Sequence, residues 1–339
     1  MKYTLMALMT AFIISCGPAQ NNKKVVKTNL DYAATITVDE LKPMVYAFSS
    51  DEMEGRMTGS EGQERAAQYL IDFYKAEGIA GGVATDNYRQ TVPAEYFTRA
   101  RDPKPSDNIM AFIKGSEFPD EVIVLSAHYD HIGMDKKGNV FNGADDDGTG
   151  NMALLQMAQA FQQAVKEGNG PRRSILFLHV TGEEIGLYGS RYYTDNPIYP
   201  LENTVCNLNT DMIGRVTPDK RGGGENYIYL IGSDRLSQEL HDVSEMVNNT
   251  YVNLDIDYTF NEENDPNRFY FRSDHYNFAK NEVPVIFYFN GVHEDYHKIT
   301  DTADKINYEL FAKRTKLIFL TAWEVANRDG RITADKVKP

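Results

Sequence analysis

Residues 174–180, Ser-Ile-Leu-Phe-Leu-His-Val, form an apolar run of strand length with almost no polar alternation. A strand with one wet face alternates. One buried on both faces does not, and such strands belong to parallel sheets covered by helices on either side. The rest of the chain keeps that rhythm. Apolar, β-branched runs at 108–114, 121–127, 204–209, 227–231 and 284–289 alternate with helical patterns at 149–165, 187–194, 237–248, 273–280 and 308–327. Two helices precede them: 38–48, and one opened by a Ser60/Gln63 capping box that runs to Glu77. The alternation predicts an α/β fold of three layers, α/β/α, around a mostly parallel mixed central sheet. No repeat or low-complexity block interrupts residues 36–330, which read as a single domain; 216–272 could form an insertion on the sheet.

The amino-terminal residues read differently. Lys2 is followed by an apolar stretch, Leu5 to Ile14, too short to span a bilayer comfortably, and that stretch runs into Ser15-Cys16-Gly17. The order is that of a secretory signal and resembles the lipobox of bacterial lipoproteins, which are cut before the cysteine and acylated on it. The resemblance implies a signal peptide over 1–16, a lipid on Cys16, a polar tether over 17–35, and a place in the bacterial cell envelope, on the periplasmic side or the cell surface. With Cys16 acylated, Cys206 has no intramolecular partner; in its apolar run it reads as a buried structural thiol. A formal net charge of −14 argues against a nucleic-acid partner.

In open α/β sheets ligands gather at the carboxyl ends of strands. The metal-capable residues of this chain follow strand-like runs: His128 after 122–125, Glu183 and Glu184 after 175–178, Asp211 after 205–209, and His297 soon after 285–289. In Ser126-Ala127-His128-Tyr129-Asp130, one ring nitrogen could bind a metal while Asp130 holds the other ring N–H; a structural histidine is the competing reading. In Gly143-Ala144-Asp145-Asp146-Asp147-Gly148, three adjacent carboxylates repel, and a cation would offset that cost; a solvated acidic helix start is the alternative. Glu183 and Glu184 could divide the work, one ligating and one free to move a proton. His131 and His293 flank these positions and could stand at a site rim. His179 reads as a core histidine and Asp274 as a helix cap. Arg272 could reach a substrate carbonyl or carboxylate.

Taken in order, His128-x-Asp130, Gly143-Ala-Asp-Asp-Asp-x-x-Gly150, Gly182-Glu-Glu-x-Gly-Leu-x-Gly-Ser190, Asp211-Met-Ile-Gly214 and Tyr296-His-x-x-x-Asp-Thr302 resemble the double-zinc aminopeptidase family. That family also includes glutamate carboxypeptidases, glutaminyl cyclases and the transferrin receptor ectodomain. The resemblance covers roughly residues 40–325, and the segments 50–56, 59–62 and 272–275 look like the family too. It implies a zinc-exopeptidase-like fold, peptide substrates and two Zn²⁺ per chain. His128 and Asp211 would bind one zinc, Glu184 and His297 the other, and Asp146 both. Glu183 would be general base toward a water held between the metals, and Tyr296 an oxyanion donor. Asp130, Asp147 and Asp301 would orient the ligands, and the Asp146–Asp147 peptide bond would be cis. The expected activity is that of a zinc-dependent aminopeptidase. A carboxypeptidase or dipeptidase of the same family and a glutaminyl cyclase are the alternatives. A non-catalytic binding module is disfavoured, because all five ligands and Glu183 are present.

Overall fold

The computed structural model describes residues 27–99, 102–218 and 224–336. The signal peptide and Cys16 lie outside the described residues, as does most of the expected tether. The strands are β1 (Ala80–Gly81), β2 (Arg89–Val92), β3 (Ser106–Ile113), β4 (Phe118–His128), β5 (Gly133–Met134), β6 (Val140–Phe141), β7 (Arg173–Val180), β8 (Thr204–Thr210), β9 (Tyr227–Ile231), β10 (Asp255–Asp257) and β11 (Val285–Phe289). The α-helices are α1 (Asn29–Ala33), α2 (Val38–Phe48), α3 (Glu61–Glu77), α4 (Gly150–Lys166), α5 (Tyr188–Asp195), α6 (Gln238–Val247), α7 (His275–Ala279) and α8 (Tyr308–Asn327).

The main sheet runs β1-β3-β7-β4-β8-β11-β9-β10, with β2 also paired to β3. Its centre, β7-β4-β8-β11, is parallel, whereas β3 against β7 and β9 against β11 are antiparallel. From β4 the chain passes through α4 to β7 on one side, then through α5 to β8 on the other. Strand order therefore reverses at β4, which opens a crevice at the carboxyl ends of these strands.

The absence of alternation in β4 and β7 has the expected cause. Ile123, Leu125, Ile175 and Phe177 pack into a core with Leu70, Leu154, Phe161, Leu317 and Trp323 from α3, α4 and α8. Val122, Val124, Leu176 and Leu178 face the opposite way, onto Tyr193 of α5 and Phe278 of α7. Helices thus cover both faces, in three layers. Cys206 is free and buried within this core, and burial pushes its thiol up to about 12.

Three expectations need correction. The Ser60 capping box is only half formed. Ser60 Oγ accepts from Gln63 N, but the Gln63 side chain turns to Gly59 N and Thr181 Oγ1 and does not close on the Ser60 N–H. Residues 216–272 are not an insertion on the sheet. They supply β9 and β10 to it and pack α6 against α8. The tether does not extend to residue 35, because α1 is docked on the domain. Tyr32 is 1% exposed, stacks on Trp323 at 5.3 Å and donates its hydroxyl hydrogen to Glu167 at 2.9 Å. Tyr32→Ala is therefore expected to cost about 2–4 kcal/mol in urea unfolding; a residue in a free tether would leave the midpoint unmoved.

Candidate metal centre

Four loops at the crevice bring the acidic and imidazole side chains together. β4 ends on His128, whose Nε2 lies 3.2 Å from Asp146 Oδ1 and 3.5 Å from Asp211 Oδ1. Asp211 follows β8 directly. The loop after β11 carries His297, whose Nε2 is 3.2 Å from Asp146 Oδ2 and 3.1 Å from Glu184 Oε2. The two oxygens of Asp146 thus face two separate groups of donors. The five residues singled out as ligands converge, and the Asp146–Asp147 peptide bond is cis.

The three adjacent aspartates do different work. Asp145 Oδ1 accepts from Gly214 N and Thr149 Oγ1, and its Oδ2 lies 3.1 Å from His293 Nε2. Asp146 points into the crevice. Asp147 Oδ1 accepts from Gly150 N at the start of α4 and from Met212 N beside Asp211. Asp147 also offers an oxygen within 4.8 Å of donor atoms from His128 and Asp211. Asp301 accepts from the backbone N–H groups of Asp145 and Asp146 and so holds the turn.

Asp130 acts in a different way from the one its spacing suggests. The His128 ring is fixed through Nδ1 by the backbone carbonyl of Asp130 at 3.1 Å, while the nearer carboxylate oxygen is 4.0 Å away. The Asp130 carboxylate instead accepts from Thr58 Oγ1 and from the backbone N–H of Glu183. It positions the glutamate loop.

A polar chain supports Asp211 from within the sheet. Asn207 donates to Ser126 Oγ, Ser126 donates to Asn209 Oδ1, Asn209 donates to Ser273 Oγ, and Ser273 donates to Asp211 Oδ2 at 2.7 Å. Ser273 belongs to a segment notable in sequence only for its neighbours. Asp274 does not cap α7 through its side chain; its carboxylate is wholly buried, which pushes it up to about 7. His179 is a core histidine, held between Asn151 Oδ1 and the Tyr74 hydroxyl, and burial lowers it to about 3.

Two contributors escape a motif-by-motif reading. Arg56, wholly buried, donates to the backbone carbonyls of Tyr129, Asn142 and Gly143 and so clamps the aspartate loop to the amino-terminal segment. His131 stands inside the site. Its Nδ1 is 2.7 Å from Glu184 Oε1 and 3.7 Å from Asp146 Oδ2. The signal for His131 was its place three residues after His128; for Arg56 there was none beyond the Glu-Gly-Arg context. The other flanking histidine, His293, turns away to Asp145.

The donor set fits divalent metal. Tetrahedral zinc, with bonds of ~2.0–2.2 Å, sets neighbouring donor atoms roughly 3.3–3.6 Å apart, and the 3.1–3.5 Å separations around His128 and His297 lie close to that. Asp146 Oδ2, Glu184 Oε1 and both nitrogens of His131 are buried and make no hydrogen bond. The electrostatics favour a cation. Burial pulls His297 down, but Asp146 and Glu184 outweigh it and raise the imidazole to about 10. His128 is likewise driven well up, with Asp211 and Glu183 overriding burial. Burial, reinforced by the charges of Glu184, Asp211 and Asp274, pushes the Glu183 carboxyl well above the ordinary range, against the opposing effect of His128.

Glu183 lies on the wall of a pocket of ≈30 Å³ together with His128, Asp146, Asp211, Arg272 and Tyr296; Met212, Phe269, Phe287, Phe289 and Val292 make the rest of that wall apolar. Phe269, Arg272, Val292 and Tyr296 continue into a groove of ≈450 Å³. The Tyr296 ring stacks on that of His297 with centroids 3.8 Å apart.

The model of Peptidase family M28 matches residues 108–322. The chain is 26% identical over 300 residues to a protein of Pyricularia oryzae described as a probable zinc metalloprotease, covering 76% of this chain and 58% of that one. It is 25% identical over 297 residues to a probable leucine aminopeptidase of Arthroderma benhamiae, covering 85% and 76%. The chain spans only 30–58% of the length of the zinc-metalloprotease relatives it matches. The fold is shared with the LapA aminopeptidase of Legionella pneumophila, at TM-score 0.65, 18% identity and coverage of 89% and 76%. It is shared equally with the glutaminyl cyclase of Porphyromonas gingivalis, at TM-score 0.65, 18% identity and coverage of 84% and 97%.

Proposed function

The chain belongs to peptidase family M28, and on that basis we propose that it is a zinc-dependent aminopeptidase that removes the first residue of peptides. In this reading His128, Asp211 and Asp146 would hold one zinc ion, and Asp146, Glu184 and His297 would hold a second. The observation that carries it is the division of the Asp146 carboxylate between two donor groups. The aminopeptidase description of relatives such as the Arthroderma protein supports the choice of the amino-terminal bond.

Bound zinc supplies Lewis-acid polarisation of the scissile carbonyl and a water acidified to near neutrality. The chain's own groups do the rest. Glu183 takes the proton of the attacking water and delivers it to the leaving amine. Tyr296 stays protonated, because burial and the carboxylates of Asp146, Glu184 and Glu183 push its hydroxyl up. It is thus a donor for the developing oxyanion, a role typically worth ~3–4 kcal/mol. The Asp211 and Glu183 carboxylates share the pocket wall and suit a free α-ammonium, and the adjoining groove of ≈450 Å³, walled by Phe269, Val292 and Tyr296, suits an apolar first side chain.

Peptides with a free amino-terminal leucine are expected to release leucine, with release lost on chelation and restored by zinc. N-acetylated versions of the same peptides are expected to be inert. Equal turnover of blocked peptides would move the assignment to a carboxypeptidase. Ring closure of an amino-terminal glutamine without release of a residue would move it to a cyclase.

The proposal extends to the anchor. The Ile14-Ser15-Cys16-Gly17 sequence supports a lipid on Cys16 that holds the domain at the bacterial cell envelope. Mass spectrometry of the mature protein is expected to find Cys16 first and acylated; a mature chain that starts elsewhere, or carries a free Cys16, would remove the anchor from the proposal.

A further inference from the structure

We propose that His131 is itself a metal ligand, giving the second zinc position a fourth protein donor beside Asp146, Glu184 and His297. The proposal rests on the two-zinc reading above and adds a residue to it. His131 is 1% exposed. Its Nδ1 lies 2.7 Å from Glu184 Oε1, yet neither ring nitrogen of His131 nor that oxygen makes a hydrogen bond. The ring N–H does not point at that oxygen, and two such atoms at 2.7 Å are held together by a shared proton or by a cation lying against both. His131, Asp146 and Glu184 offer ligand atoms that all lie within 4.8 Å of one another. The His297 ring meets the His131 ring edge-on, with centroids 5.9 Å apart, so both imidazoles flank the same carboxylates.

The surroundings hold the ring in that place. His131 N donates to Arg56 O at 3.2 Å, and Met57 bridges His131 in parallel fashion. Gly143, at φ 54°, lies under the ring; a Cβ there would come within 2.6 Å of His131 Cγ and Cδ2. A side chain at 143 would displace the imidazole from the carboxylates.

The two positions then differ. The first would have three protein donors, His128, Asp211 and Asp146, and the second four. The zinc equivalents should be unequal, and the tighter should depend on His131.

X-ray absorption spectroscopy of the native protein loaded with zinc alone counts the imidazoles directly. Three shared between two ions are expected; two would overturn the proposal and leave the two-zinc reading standing. A native protein that binds no zinc would sink both. In His131→Phe and His131→Gln, the first keeping ring bulk and the second a polar end, the count should fall to two. The tighter equivalent should weaken by about 10–100-fold or more in equilibrium dialysis against a competing chelator, with the weaker one unchanged. An unchanged imidazole count in a folded variant would reduce His131 to a packing residue.

Discussion

Replacing Glu183 by glutamine is expected to lower kcat by about 10²–10⁴-fold while zinc content stays at the native level. The two parts of this expectation have separate origins. The loss of rate follows from the chemistry: an amide can neither take the proton of the attacking water nor deliver one to the leaving amine. The retention of metal follows from geometry. Glu183 stands on the pocket wall, anchored by its backbone N–H to Asp130, while Glu184 is the glutamate packed against His131 and His297. KM should change little, because the shape of the pocket is kept. Steady-state kinetics combined with elemental analysis reads both parts. Loss of zinc in Glu183→Gln would exchange the roles of the two glutamates.

Arg56→Met is expected to destabilise the protein by about 3–5 kcal/mol although it replaces no proposed ligand. The guanidinium is 0% exposed, and desolvation lowers its pKa to about 10 against the pull of Asp146, Asp147, Asp301 and Asp130. It donates to Tyr129 O at 3.0 Å, Asn142 O at 2.7 Å and Gly143 O at 2.9 Å. Methionine fills much of the volume and satisfies none of these carbonyls. A fall in Tm on the order of 5–15 °C should follow, measured on metal-free protein so that lost zinc does not contribute. Arg56→Lys should recover only part of the loss, since an ammonium cannot reach three carbonyls on two segments as the planar fork does. An unchanged Tm in Arg56→Met would mean that water satisfies these carbonyls.

Much of the centre was legible because its residues obey two local rules at once. His128, Glu184 and Asp211 are polar residues placed directly at or after apolar strands, and each lies in a recognisable short motif. Strands β4 and β7 were legible because burial on both faces leaves a continuous apolar run. The failures share a different cause. Helix α1 has five residues and too little pattern of its own; it exists because Tyr32 finds Trp323, 291 positions along the chain. The segment 216–272, which could have formed an insertion, supplies β9, fixed by pairing with the distant β11. The role of Asp130 turned on whether its carbonyl or its carboxylate meets His128, and spacing carries no information about that. Ser273 and Arg56 act on the centre through atoms supplied by distant segments, so no window around either residue contains its partners.

The polar chain beneath Asp211 bears on how the sheet is assembled. Asn207 and Asn209 stand on one face of β8, opposite Val124 and Ser126 of β4, beside the aliphatic side chains of Val122, Val124, Leu176 and Leu178. Apolar strands of similar length can slide past one another by two residues with little change in burial. Here a slip that set Asn207 against Val122 and Asn209 against Val124 would leave both amides facing hydrocarbon, each at about 1–3 kcal/mol. The same hydrogen bonds that steady a carboxylate therefore also disfavour that misalignment of the two central strands.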